Sequence, residues 1–318
     1  MSDINLTNPI FHDEDKAREH FEKLGWPDGP FCPHCGETEK VYRIKPGKNI
    51  RPGLLHCNSC DGAFTITTGG VMESSHLPLT KWALGFHLMA SSKKGVSAKQ
   101  LQRQLGIGYR AAWFMAHRIR TAMTPAKGGK LGGEGKVLES DETFVGGKAK
   151  NAHARKPIPK KHAVHALVER GGKATAKHVA DVSAKTLWEV LEKQADAKSA
   201  LHTDDSLANL SLGRHFAEHR TVAHTLGEYV TEDWLAHTNT AEAFFAIFKR
   251  GVMGSFHSVS EQHLQRYCDE FAFRWNTRSS LGIEDTERAS LAIKGAAGKR
   301  LTYKATGSSE AADNETSA

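Results

Sequence analysis

Three carboxylates in this 318-residue chain fall where they could share a cation. Asp141 lies in VLESDETFVGG, where strand alternation runs through Val137, Glu139 and Asp141. Asp204 stands at the end of the short strand SALHTDD. Glu242 opens a helix in HTNTAEAFFAIFKRGV, and Lys249 follows about two turns later on the same face. That helix start also reads as a cap, with Asn239 at the N-cap and Glu242 three residues on. Converging acids are costly unless a cation neutralises them, and two Mg²⁺ or Mn²⁺ ions about 4 Å apart do so in phosphoryl transfer. Glu139, Glu142 and Asp205 read instead as solvated turn or cap residues.

The elements that must position these acids form an α/β pattern. VLESDETFVGG, KHAVHALVERGG and KATAKHVADVS read as three strands, the last two joined by a Gly-Gly turn. AKTLWEVLEKQADA reads as a helix, SALHTDD as a fourth strand, and RTVAHTL as a further candidate strand. Two helices follow, at 239–250 and about 260–278. Asp141 and Asp204 meet if the first and fourth strands are neighbours, and Glu242 then approaches from the side.

Cys32-Pro-His-Cys35 and Cys57-Asn-Ser-Cys60 repeat the same two-residue gap. Four thiolates so spaced suit a structural Zn²⁺, which would supply much of the folding energy of so small a segment. His34 and His56 lie beside these ligands, and Cys268 reads as a core residue. Arg43, Lys45, Lys48 and Arg51, between the knuckles, suit phosphate contacts or plain solvation.

GVSAKQLQRQLGIGYRAAWFMAHRIRTAM has the rhythm of a helix, a tight turn and a second helix. Ser97 would cap the first helix, Leu101 and Leu105 would face inward, and Gly106 would permit the turn. The second helix would offer Arg110, Arg118 and Arg120 to DNA. The stretch GGKAKNAHARKPIPKK carries Lys148, Lys150, Arg155, Lys156, Lys160 and Lys161 without an acid, and with Lys249 and Arg250 it suits a DNA backbone.

Formal net charge is +7, which favours a polyanionic partner. Apolar content of 39% with 25% charged residues reads as soluble and globular, and no run approaches the ~18 apolar residues of a membrane span. The polar, acidic start MSDINLTNPIFHDEDKAREH is no secretory signal, so a cytoplasmic protein is expected. No GxxxxGK[ST] is present, so no nucleotide cofactor is expected.

Four stretches, WPDGPFCPHCG, SDETFVGGKAKN, HTDD and HTNTAEAFFAIFKRG…HLQRYCDEFAFRWNTR, resemble the insertion-sequence transposases of the ISXO type, which join an N-terminal zinc ribbon to an RNase H-like DDE domain. The resemblance runs from Phe31 to about Arg278. It implies that Asp141, Asp204 and Glu242 bind two Mg²⁺ ions and that Lys249 touches DNA near the cut. Asn239 is the alternative third residue or a neighbour of the site. It also implies double-stranded DNA partners, namely the element's terminal inverted repeats and a target, and a homodimer or larger assembly. The organisation expected is an N-terminal helical segment (1–26), a zinc ribbon (27–72), a helix-turn-helix-like domain (76–123), a linker (124–136), an RNase H-like mixed sheet with flanking helices (137–280) and a C-terminal extension (281–318), disordered from about 305.

Overall fold

The computed structural model describes residues 5–48, 50–125, 128–147, 160–222 and 237–302. The chain begins with α1 (Glu14–Gly25), where the Asp13 carboxylate accepts from the amides of Asp15 and Lys16. Next come the short antiparallel strands β1 (Val41–Arg43), β2 (Leu55–Cys57) and β3 (Gly62–Phe64). Their core is Cys32, Leu55, Cys57 and Phe64, with Trp26 and Val41 packed against it. So few side chains cannot hold a fold without another source of energy.

A helical unit follows, made of α2 (Leu79–Ser91), α3 (Ala98–Leu105) and α4 (Tyr109–Met123). The Ser97 hydroxyl accepts from the Gln100 amide at 3.2 Å, and Leu101 and Leu105 are buried as the pattern requires. Gly106 ends α3 at φ 63°, in the left-handed region.

The third unit comprises β4 (Val137–Gly146), β5 (Lys161–Glu169), β6 (Ala174–Val179), α5 (Ala184–Gln194), β7 (Ala200–Asp204), α6 (Leu207–Gly213), β8 (Glu218–Val222), α7 (Asn239–Gly251) and α8 (Glu261–Asn276). The sheet order is β6-β5-β4-β7-β8. The first three strands in sequence are antiparallel, and β7 and β8 add in parallel beside β4. This is the mixed sheet with flanking helices expected from the sequence. Alternation along each strand splits the apolar residues between two faces. Leu138, Leu167 and Leu201 meet Leu187 and Leu191 of α5 and Leu212 of α6. On the other face Val164, Ala166 and Val168 meet Phe244, Phe245 and Phe248 of α7 and Leu264, Cys268 and Phe271 of α8.

Two expected boundaries move. Leu131 bridges to Ala195 and packs on the α5 side, while the Gly133 amide donates to the Ser199 hydroxyl at 2.8 Å. The second half of the expected linker therefore belongs to the sheet unit. Downstream, α9 (Asp285–Lys294) returns to the helical unit and buries Ala289, Ala292 and Ile293 in its core. The tail expected to be disordered lies outside the described residues.

The helical and sheet units are joined through a buried charge cluster. The Arg120 guanidinium donates to Glu270 at 2.6 Å, Arg274 donates to the same carboxylate, and neither Arg120 nor Glu270 reaches solvent appreciably. Burial alone would raise the Glu270 carboxyl, but Arg120 and Arg274 overcome it and hold the group below its usual range. At Gly251 the close approach of α7 to α8 and to the carbonyl of Lys94 leaves no room for a Cβ.

Candidate active site

The site is set out by the pairing of β4 with β7. Val137 pairs with Ala200 and Glu139 with His202, in parallel. Carrying that register two residues further brings Asp141 level with Asp204. Neighbouring strands lie about 4.8 Å apart and in-register side chains of parallel strands share a face. The condition set by the sequence, that the first and fourth strands be neighbours, is met.

The third acid is delivered by a residue that sequence reasoning assigned to solvent. Glu139 is fully buried, on the same face of β4 as Asp141. Its Oε2 accepts from the amides of Thr240 at 2.7 Å and Ala241 at 3.0 Å, and its Oε1 accepts from the Thr240 hydroxyl at 2.9 Å. A carboxylate from a different strand thus caps α7, satisfying orphan amides and facing the positive end of the helix. Arg170, at the end of β5, donates to Glu139 Oε1 at 3.0 Å and also to His202 Nδ1 at 3.2 Å and the His237 carbonyl at 3.2 Å. Burial, and then the Arg170 charge, push the His202 imidazole down to about 4, so it stays neutral and accepts. This network fixes the first turn of α7, from which Glu242 projects to an exposed position.

The cap expected from Asn239 takes a different form. The helix starts at Asn239, the preceding Thr238 makes no side-chain cap bond, and Glu139 does the capping. Asn239 is exposed in the same first turn as Glu242, which leaves its side chain on the site's side of the helix. Lys249 and Arg250 are exposed further along α7.

Glu142, assigned to solvent from sequence, is half-buried and raised to about 8, first by burial and then by the charges of Asp141 and Asp204. Its Oε1 is buried without a hydrogen-bond partner, as is Oδ1 of Asn209. The Asn209 amide donates to Asp204 Oδ1 at 2.7 Å, and Asp141 Oδ1 accepts from the Glu142 amide at 2.8 Å. A half-buried carboxyl, repelled by two acids and left with an unpaired oxygen, marks a place where positive charge is missing. Divalent magnesium, which takes oxygen ligands, fits that deficit. The donor atoms of Asp141, Asp204 and Glu242 do not converge within 4.8 Å of one another. Ligands shared between two ions about 4 Å apart need not converge more closely.

The four cysteines are drawn together. Cys32 Sγ lies 3.6 Å from Cys60 Sγ, and Cys35 Sγ lies 3.6 Å from Cys57 Sγ. Tetrahedral Zn–S bonds of about 2.3 Å require sulfurs about 3.8 Å apart, so the donor set fits zinc.

The basic residues divide. Arg110 is exposed at the start of α4, where a recognition helix reads DNA. Arg118 and Arg120 do not serve that role. Arg118 is buried, donates to the Glu73 carbonyl at 2.8 Å and stacks on Phe114, while Arg120 pairs with Glu270 and lies against Tyr267. The reason is that α4 is the central helix of its unit and is enclosed along most of its length. An acid in the apolar run YCDEFAF was the available signal that a buried partner for Glu270 was needed. Lys160 and Lys161 are exposed, with Lys160 paired to Glu261 at 3.1 Å, and Lys148, Lys150, Arg155 and Lys156 lie outside the described residues. Arg250 lines a cleft of about 580 Å³ with Lys93, Lys94 and Arg278. Among the described residues no helix is long and apolar enough to cross a membrane.

Comparison with known families finds two matches. The family model described as the ISXO2-like transposase domain matches residues 130–276, and the transposase zinc-ribbon domain matches residues 12–62. No curated protein matches the chain. The first match covers the sheet unit with Asp141, Asp204 and Glu242, and starts inside the stretch that the sequence marks as linker. The chain thus joins a transposase zinc-ribbon domain to an ISXO2-like transposase domain, the two parts expected for the ISXO type.

Proposed function

We propose that this transposase binds the ends of an insertion sequence and catalyses Mg²⁺-dependent cleavage and strand transfer at Asp141, Asp204 and Glu242. The observation that supports this most is the common level of Asp141 and Asp204 on adjacent strands, with a charge deficit beside them at Glu142. Asp141 and Asp204 would hold the ions between them, and Glu242 would complete the set. When bound, Mg²⁺ would activate the attacking oxygen and steady the leaving one. Glu139 acts as a positioning residue, because it anchors the turn that carries Glu242. Asn239 stands close enough in the first turn to replace or assist Glu242.

In the first step water attacks a phosphodiester at the element end and the 3′-oxygen leaves as a hydroxyl. In the second, that 3′-OH attacks a phosphodiester of the target, and the target's own 3′-oxygen leaves. One phosphodiester forms as one breaks, so joining needs no nucleotide. Lys249 would hold the DNA backbone near the cut, and Lys161, Arg250 and the basic stretch before β5 would extend the contact. The zinc ribbon and the exposed start of α4, with Arg110, would recognise the ends. Two ends held together call for a dimer or larger assembly. The test is incubation of the protein with Mg²⁺, labelled DNA bearing the ends that flank its gene, and a supercoiled plasmid. Covalent joining of label to plasmid, lost with Asp141→Ala, is the expected result. Cleavage without joining would make the chain a nuclease, and binding with neither a non-catalytic regulator.

A further inference from the structure

A second group of metal-ligating side chains stands on β5, β6 and α8, on the side of β4 away from β7. His162 at the start of β5, His178 near the end of β6 and Glu261 in the first turn of α8 bring one ligand atom each within 4.8 Å of one another. His162 Nδ1 is 3.5 Å from Glu261 Oε1, and the two imidazole rings have centroids 5.8 Å apart. None of the three belongs to the carboxylate site or the ribbon.

The frame around them is fixed. The His178 amide donates to Gln265 Oε1 at 2.9 Å, and Gln265 Nε2 donates to the Ala176 carbonyl at 3.1 Å, so α8 is tied to β6 one turn beyond Glu261. Strand pairing places Val164 opposite His178, which sets His162 two residues away on the same face. Both imidazoles are half-buried, and Glu261 reaches over them from outside.

We propose that His162, His178 and Glu261 form a binding site for a divalent transition cation of the zinc class. Two imidazoles and one carboxylate suit zinc, cobalt or nickel, whereas magnesium prefers an all-oxygen set. Three protein ligands leave a coordination position for water. Lys160 now holds Glu261 from the solvent side, at 3.1 and 3.3 Å. A metal on Glu261 would displace that ammonium and release Lys160, at the end of the basic stretch, for a phosphate. The ion would also staple the start of β5 to α8.

The test is a Co²⁺ titration of the full chain with its ribbon saturated with zinc and Mg²⁺ in excess over the carboxylates, followed by visible d–d absorption. A single additional Co²⁺ per chain is expected, with affinity weakened roughly tenfold or more in both His178→Ala and Glu261→Gln. Glu261 is half exposed, so Glu261→Gln reports on the site without a threat to folding. Equal uptake by the wild type and Glu261→Gln, or no histidine-dependent absorption in the wild type, would overturn the assignment.

Discussion

In the ribbon, four sulfurs sit in pairs 3.6 Å apart around a core of four side chains. In the sheet unit, the acids ride on five paired strands with an apolar layer on each face, and their oxygens do not converge. The ribbon has little besides a metal to hold its donors together. The sheet holds its acids in place through backbone pairing and the Glu139 cap, and leaves the charge problem at Glu142 for a cation to solve. On the proposed function, one site would be made by its metal and the other made for it.

Chelation should separate the two most widely. Removing zinc forfeits about 10–16 kcal/mol of binding energy. Hydrogen exchange after chelation should show β1–β3 deprotected while β4–β8 keep their protection. Collapse of both together would mean that the sheet, too, leans on metal.

Breaking a buried ion pair is the next largest effect. Arg120→Ala leaves Glu270 buried in the seam between the helical and sheet units with Arg274 as its remaining partner, at a cost of about 3–5 kcal/mol. Denaturant unfolding reads that loss, and replacing Arg120 and Glu270 together with apolar residues should recover much of it. Glu139→Gln is a smaller change at the other buried glutamate. It weakens the charge-assisted bonds to α7 and Arg170 by about 2–3 kcal/mol. Strand transfer should fall with it while zinc content stays at the wild-type level. Unchanged activity would remove Glu139 from its positioning role.

The last effect concerns acid. His117 in α4 is buried and pushed from 6.5 down to about 2, first by burial and then by Arg120, His263 and Arg266. The unfolded chain takes up that proton as pH drops below 6.5 and the folded chain does not. Stability from this group is therefore complete above 6.5 and is lost progressively as pH falls towards 2. His117→Phe should flatten the pH dependence of the unfolding midpoint below 6.5.

The strands, the helices of the sheet unit and the cysteine pairs were legible because they depend on local pattern: alternation, 3.6-residue periodicity and a repeated two-residue gap. Asp141 and Asp204 followed once the order of strands was supposed. What escaped were polar residues whose partners are far away in sequence. Glu139 and Glu142 looked like solvated acids because Thr240, Arg170 and Asn209 are brought to them only by folding. Arg118 and Arg120 looked like a basic recognition surface because nothing near them in sequence shows that α4 is enclosed by α2, α8 and α9. Only the two acids inside YCDEFAF, Asp269 and Glu270, hinted at it.

The most direct measurement is Mg²⁺-dependent cleavage of the element-end DNA by Asp204→Asn, Glu242→Gln and Asn239→Ala beside the wild type, with zinc content and DNA affinity as controls. Cleavage should fall roughly a hundredfold or more in the first two, with DNA binding retained, and much less in Asn239→Ala. Full cleavage by Asp204→Asn would contradict the site on β4 and β7, and full cleavage by Glu242→Gln with loss in Asn239→Ala would move the third ligand to Asn239.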